Sequence, residues 1–294
     1  MAENIGGRPL RIVGIHGVHH YQTKLSLAQA AVNYAGNWTG HLTRGLNISP
    51  DRLDLAFAYY APALRVKRPL QQGGEDDDEL DDELAERMLA DYLAVLGAPQ
   101  TIAQGARTIP LRNAADWISR RFPLTTKAFV RVFFREVAEY LRAPNHPPRL
   151  QARDIVADVI RQQRPEVVIA HSLGTIVAYE ALNTIDDVHV PLLITLGSPL
   201  ALPHAVHPLL LPAPVSDPVR GGRAFGMRPA CIQRWINVAD PGDPVAIPLR
   251  LSEGFDGVAL SHTDTIDHDY GFHDAGNYLA APATVATLAP YLGI

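Results

Sequence analysis

The 294 residues carry 26 Lys and Arg against 31 Asp and Glu, a formal charge of −5, with 47% hydrophobic and 19% charged residues. That balance belongs to a folded globular chain rather than a disordered one, and it argues against a general nucleic-acid binder, which needs a basic surplus to neutralise phosphates. The single cysteine, Cys231, excludes an internal disulfide and a multi-cysteine zinc site.

The N-terminus runs straight into an apolar segment at 10–15 that ends in His16-Gly17, which reads as a buried parallel strand. It contains a charge, Arg11, and has no cleavage site behind it, so it does not read as a signal peptide. No apolar run approaches the ~20 residues that span a bilayer, and a cytoplasmic location is expected. Residues 28–34 look helical, and 53–60 alternate with aromatics as a second strand closed by Pro62. Further strands are expected at 167–170, 191–196 and 234–238, with a helix over 175–182. The prolines, 24 against 22 glycines, close or precede many of these segments. Strands that alternate with helices imply an α/β fold with a parallel sheet covered on both faces.

The stretch 61–149 departs from that rhythm and reads as a helical insertion between two parts of a core, 1–60 and 150–294. Acidic residues over 75–83 lead into a helix near 84–96, and two more helices are expected at 113–121 and 125–142. From 107 to 153 there are ten Lys or Arg against three Asp or Glu, so an acidic block precedes a basic one. In helix 125–142, Lys127, Arg131 and Arg135 recur every four residues, while Val130, Phe133, Phe134, Val137 and Leu141 occupy the other side. Such a helix packs on a core, covers a pocket as a lid, or docks on a membrane surface or a partner.

The chemistry centres on Ala170-His171-Ser172-Leu173-Gly174, which follows an apolar strand and opens a helix rich in small residues. A sharp strand-to-helix turn strains its central residue and needs small neighbours, which leaves the Ser172 hydroxyl exposed as a nucleophile at the positive end of a helix. A serine needs a base. His171 is adjacent and should point away, so the base is sought in the C-terminal loop, where His268 is preferred over His273 and His262. The acid should follow the strand at 234–238, and Asp243 is preferred over Asp240 there. Oxyanion donors are expected from the backbone N–H groups of Leu173 and of Val18, in the loop His16-Gly17-Val18-His19.

These residues resemble the α/β-hydrolase superfamily, in its lipase, esterase and acyltransferase-like branch. The resemblance rests on His16-Gly17, the turn 170–174, Leu196-Gly197-Ser198-Pro199, residues 240–245 and His268, in the order Ser, Asp, His. Two departures stand out: Ala170 replaces the usual first glycine of the turn, and the insertion precedes the nucleophile, whereas many relatives carry their main cap later. The resemblance implies a serine hydrolase that cleaves a carboxylic ester, such as a lipid ester or thioester, through an acyl-enzyme and without a cofactor. An amidase or peptidase with the same triad, or a binding protein on the same fold, are the alternatives. A metal hydrolase would draw on His16, His19, His20 and the C-terminal His and Asp residues, but no histidine pair at helical spacing with a glutamate supports it.

Overall fold

Parallel strands and covering helices alternate along most of the chain in a computed structural model that describes residues 8–65, 82–99, 111–122, 127–266, 271 and 273–294. In chain order the elements begin with β1 (Leu10–Ile15), α1 (Leu27–Leu46) and β2 (Leu53–Ala58). The insertion contributes α2 (Glu83–Val95), α3 (Leu111–Arg121) and α4 (Lys127–Leu141). Then follow α5 (Pro147–Gln163), β3 (Val167–His171), α6 (Leu173–Leu182), β4 (Val190–Leu196), β5 (Val215–Asp217), β6 (Arg223–Met227) and β7 (Ile232–Val238). The chain closes with β8 (Phe255–Asp256), β9 (Val258–His262), α7 (Ala275–Ala280) and α8 (Pro282–Leu292).

Six strands form one sheet in the order β2-β1-β3-β4-β7-β9, and every neighbouring pair is parallel. β5, β6 and β8 form a small separate sheet. Within β3, all of whose residues are buried, Val168 and Ala170 face one apolar layer while Val167 and Ile169 face the other. This is the two-residue period of a strand covered on both sides. The first layer includes Ala152, Val156 and Ile160 of α5 and Ile176 and Val177 of α6. The second includes Trp38 and Leu42 of α1, Tyr278 of α7 and Leu288 of α8.

The insertion helices pack into the first of these layers. Met88 and Leu89 of α2, Ile118 of α3, and Phe133, Phe134 and Val137 of α4 belong to one cluster with Val13, Ile15 and Val177. The apolar stripe on α4 expected from its periodicity is therefore spent on the core. The acidic run lies outside the described residues except at its end, where Asp82 caps α2 by accepting hydrogen bonds from the Leu84 and Ala85 amides at 2.9 and 3.3 Å. Lys127's side chain also lies outside the description. Among the described residues, no helix is long and apolar enough to cross a membrane.

A buried ion pair ties helices of the first layer together. Arg149 of α5 binds the Glu180 carboxylate of α6 through Nε and a guanidinium nitrogen. Glu180 also accepts from the Tyr140 hydroxyl of α4 at 2.9 Å and from the Leu211 amide at 3.0 Å.

Candidate active site

The chain leaves β1 toward β2 on one side and leaves β3 toward β4 on the other, so the strand order reverses between β1 and β3. In open parallel sheets such a switch point opens a crevice at the carboxyl ends of the strands. The loop after β1 and Ser172 after β3 meet there. Ser172 precedes α6 with φ 56° and ψ −130°, in the left-handed half of backbone space that a non-glycine residue enters only under constraint. Its amide donates to the Leu196 carbonyl at 3.0 Å, and its carbonyl accepts from the Thr175 hydroxyl at 2.7 Å. Thr175 in turn bonds the Ser198 hydroxyl at 2.8 Å, which ties the turn to the end of β4. Gly174 is required by close approach: a Cβ there would lie 2.2 Å from the His16 carbonyl oxygen.

The acid and a histidine are joined. Asp243 Oδ2 accepts from His273 Nδ1 at 2.6 Å and from the Tyr278 hydroxyl at 2.6 Å, while Oδ1 accepts from the Val245 amide at 2.8 Å. The aspartate and the imidazole are both buried. This bond places Asp243 on an imidazole. Asp240 accepts from the Gly242 amide at 2.8 Å, as an aspartate in a turn does. The histidine that Asp243 holds is His273, the alternative; the preferred His268 lies outside the described residues, and His262 ends the edge strand β9. Burial pushes the Tyr278 hydroxyl well above its ordinary range, with the Asp243 charge and hydrogen bond adding to it, so Tyr278 acts as a donor to the carboxylate.

The loop after β1 is held from several sides. The Nδ1–H of His16 donates to the Gly17 carbonyl at 2.8 Å, leaving Nε2 to accept from the Tyr60 and Ala61 amides at 3.2 and 3.3 Å. This network requires the uncharged ring, and burial likewise holds its pKa well below the usual histidine range. The Tyr60 hydroxyl donates to the His16 carbonyl at 2.7 Å, and the Tyr59 hydroxyl to the His20 carbonyl at 3.0 Å. His19 has φ 66°, and its amide donates to both oxygens of Glu136 on α4 at 3.2 Å. Burial raises the Glu136 carboxyl to about 7, against the lowering effects of the His19 N–H and of Arg135. Sequence reasoning did not single out Glu136; only its polarity within an amphipathic helix marks it.

These parts face one cavity of about 550 Å³, lined by Val18, Ser172 and His273 together with Tyr34, Trp38 and Phe129. Of the expected site, the structure brings Ser172, Asp243, His273, Val18 and Leu173 to the ends of neighbouring strands. Ser172 Oγ is buried and makes no hydrogen bond among the described residues. Among those residues, no three His, Cys, Asp or Glu side chains are grouped to hold a metal ion. Compared with known proteins, the chain matches no family model, no curated protein and no solved structure.

Proposed function

We propose that this chain is a serine hydrolase of carboxylic esters with an α/β-hydrolase-like fold, in which Ser172, His273 and Asp243 form the triad. The observation that carries the reading is the buried 2.6 Å bond from His273 Nδ1 to Asp243, facing the cavity that holds Ser172 on its strained turn. Asp243 fixes the tautomer that leaves His273 Nε2 as the proton acceptor and stabilises the cation that forms.

In the reaction, Ser172 Oγ attacks the ester carbonyl as its proton passes to His273 Nε2. The charge that develops on the carbonyl oxygen falls to the Val18 and Leu173 amides. The acyl C–O bond then breaks and His273 returns the proton to the departing alcohol. Water, activated by the same imidazole, attacks the acyl-enzyme, frees the acid and restores Ser172.

Labelling with a fluorophosphonate probe tests this. Wild type should be labelled, and Ser172→Ala and His273→Ala should not be. Labelling that survives Ser172→Ala refutes the nucleophile, and loss in His268→Ala but not in His273→Ala refutes the base.

A further inference from the structure

His171 precedes the nucleophile and ends β3. It does not point away from the site, as adjacency suggested. Its imidazole lines the same cavity as Ser172 and His273, and the ring centroids of His171 and His273 lie 4.5 Å apart. The residue is 96% buried by its 4% exposure, yet neither ring nitrogen makes a hydrogen bond among the described residues. The point where a Gly17 side chain would begin is 2.6 Å from Ser172 Cβ, 3.1 Å from Ser172 Oγ and 3.3 Å from His171 Nδ1, so the bare Gly17 backbone packs against both side chains and keeps them side by side at the cavity. A buried ring with a donor and an acceptor both unmet costs free energy that a ligand can recover.

We propose, resting on the hydrolase reading above, that His171 binds a hydroxyl on the alcohol portion of the ester, and that the preferred substrates are esters of polyhydric alcohols. The side of the substrate follows from the neighbour: His273 returns a proton to the leaving oxygen, and the His171 ring lies beside it at a tilt of 35°. The chemical class follows from the ring. An uncharged imidazole offers one N–H and one lone pair, and a hydroxyl both donates and accepts, whereas an alkyl chain answers neither. Burial holds His171 uncharged, reinforced by His273, His20 and His16. His20, on the same wall, is lowered to about 4 by burial and is uncharged too. Tyr34 and Asn37 add further hydrogen-bonding groups to the lining.

The test compares hydroxyethyl butyrate with propyl butyrate, which differ by a hydroxyl in place of a methyl. Wild type should favour the hydroxyethyl ester by about tenfold or more in kcat/KM, since an unpaired buried partner is worth about that factor. In His171→Leu the hydroxyethyl ester should lose more rate than the propyl ester, bringing the ratio below about threefold. His171→Asn, which keeps a donor and an acceptor, should retain an intermediate ratio. A wild-type ratio near one overturns the inference without recourse to any variant, and so does fluorophosphonate labelling without hydrolysis of either ester. In both cases labelling of Ser172 leaves the hydrolase reading standing, whereas an unlabelled wild type overturns both.

Discussion

Glu136 is a carboxyl buried beside the loop after β1, and its replacement by glutamine has a calculable signature. In the unfolded chain it titrates near 4.5, and in the folded protein burial raises it to about 7. At 1.36 kcal/mol per pH unit, the ionised form is disfavoured in the folded state by up to about 3 kcal/mol. Because the folded state binds this proton more tightly, the penalty is absent below pH 4.5, grows as pH rises, and is complete above pH 7. Arg135 on its own helix, the His19 N–H on the loop and the buried Tyr60 are the groups that face it. Glu136→Gln keeps an acceptor for the His19 amide and removes the ionisation.

Urea denaturation of wild type and Glu136→Gln at pH 4.5 and pH 8 isolates the effect, since all other titrating groups cancel in the difference. The variant should gain about 3 kcal/mol relative to wild type between the two pH values. Parallel stability profiles would refute the buried ionisation. Glu136→Ala, which leaves the His19 amide without its acceptor, should lower kcat by about tenfold or more while moving KM less, because a displaced loop misplaces the proposed oxyanion donor.

Asp243→Asn should cost about 10⁴ in kcat by breaking the tautomer control of His273, and Asp240→Asn far less; similar losses in steady-state ester hydrolysis would undo the assignment of the acid. Glu180→Ala strands the Arg149 guanidinium inside the protein and should destabilise it by about 3–5 kcal/mol in chemical denaturation. A loss under 1 kcal/mol would mean that Arg149 reaches water without its partner.

The parallel sheet was legible because its central strands are short apolar runs closed by proline or glycine. The strand at 167–170 and the helix behind it appear with their ends shifted by two residues or fewer. Helix α1 was legible only in part: it runs to Leu46, and Gly36, Gly40 and Gly45 within it weaken the helical pattern. Helix α5 was missed. Its apolar stripe, Ala152, Val156, Ala157 and Ile160, lies in a helix that carries five charged residues and begins at two prolines, which read more readily as a loop. β9 was missed because it is an edge strand whose side chains are mostly partly exposed, so it lacks the apolar run.

The site was legible where chemistry is local and opaque where it depends on distant pairing. The turn at Ser172 announces itself within five residues. The histidine that Asp243 holds does not, because His273 lies 30 residues further along the chain and no local spacing encodes their contact. His171 shows the same limit. Alternation along a strand predicts that neighbouring side chains diverge, but β3 ends at His171 and the left-handed turn at Ser172 brings both side chains to one cavity.

Helices α2 and α4 of the insertion are bound into this geometry. Through α4, Glu136 takes the His19 amide of the loop after β1. Through α2, the buried hydroxyl of Tyr92 donates to the Pro244 carbonyl at 2.6 Å, one residue beyond Asp243. Burial raises the Tyr92 hydroxyl well above its ordinary range, with the Asp243 charge acting in the same direction, so this donor stays protonated. The proposed nucleophile and base arise from the sheet and its C-terminal loop, whereas the proposed oxyanion loop and the turn of the proposed acid each share a hydrogen bond with the insertion. Helices that share the apolar layer of the sheet can hold such bonds to a fixed length, which a hinged cap could not. The acidic-then-basic segment that looked like an addition to the fold thus supplies part of the rigidity on which the proposed chemistry depends.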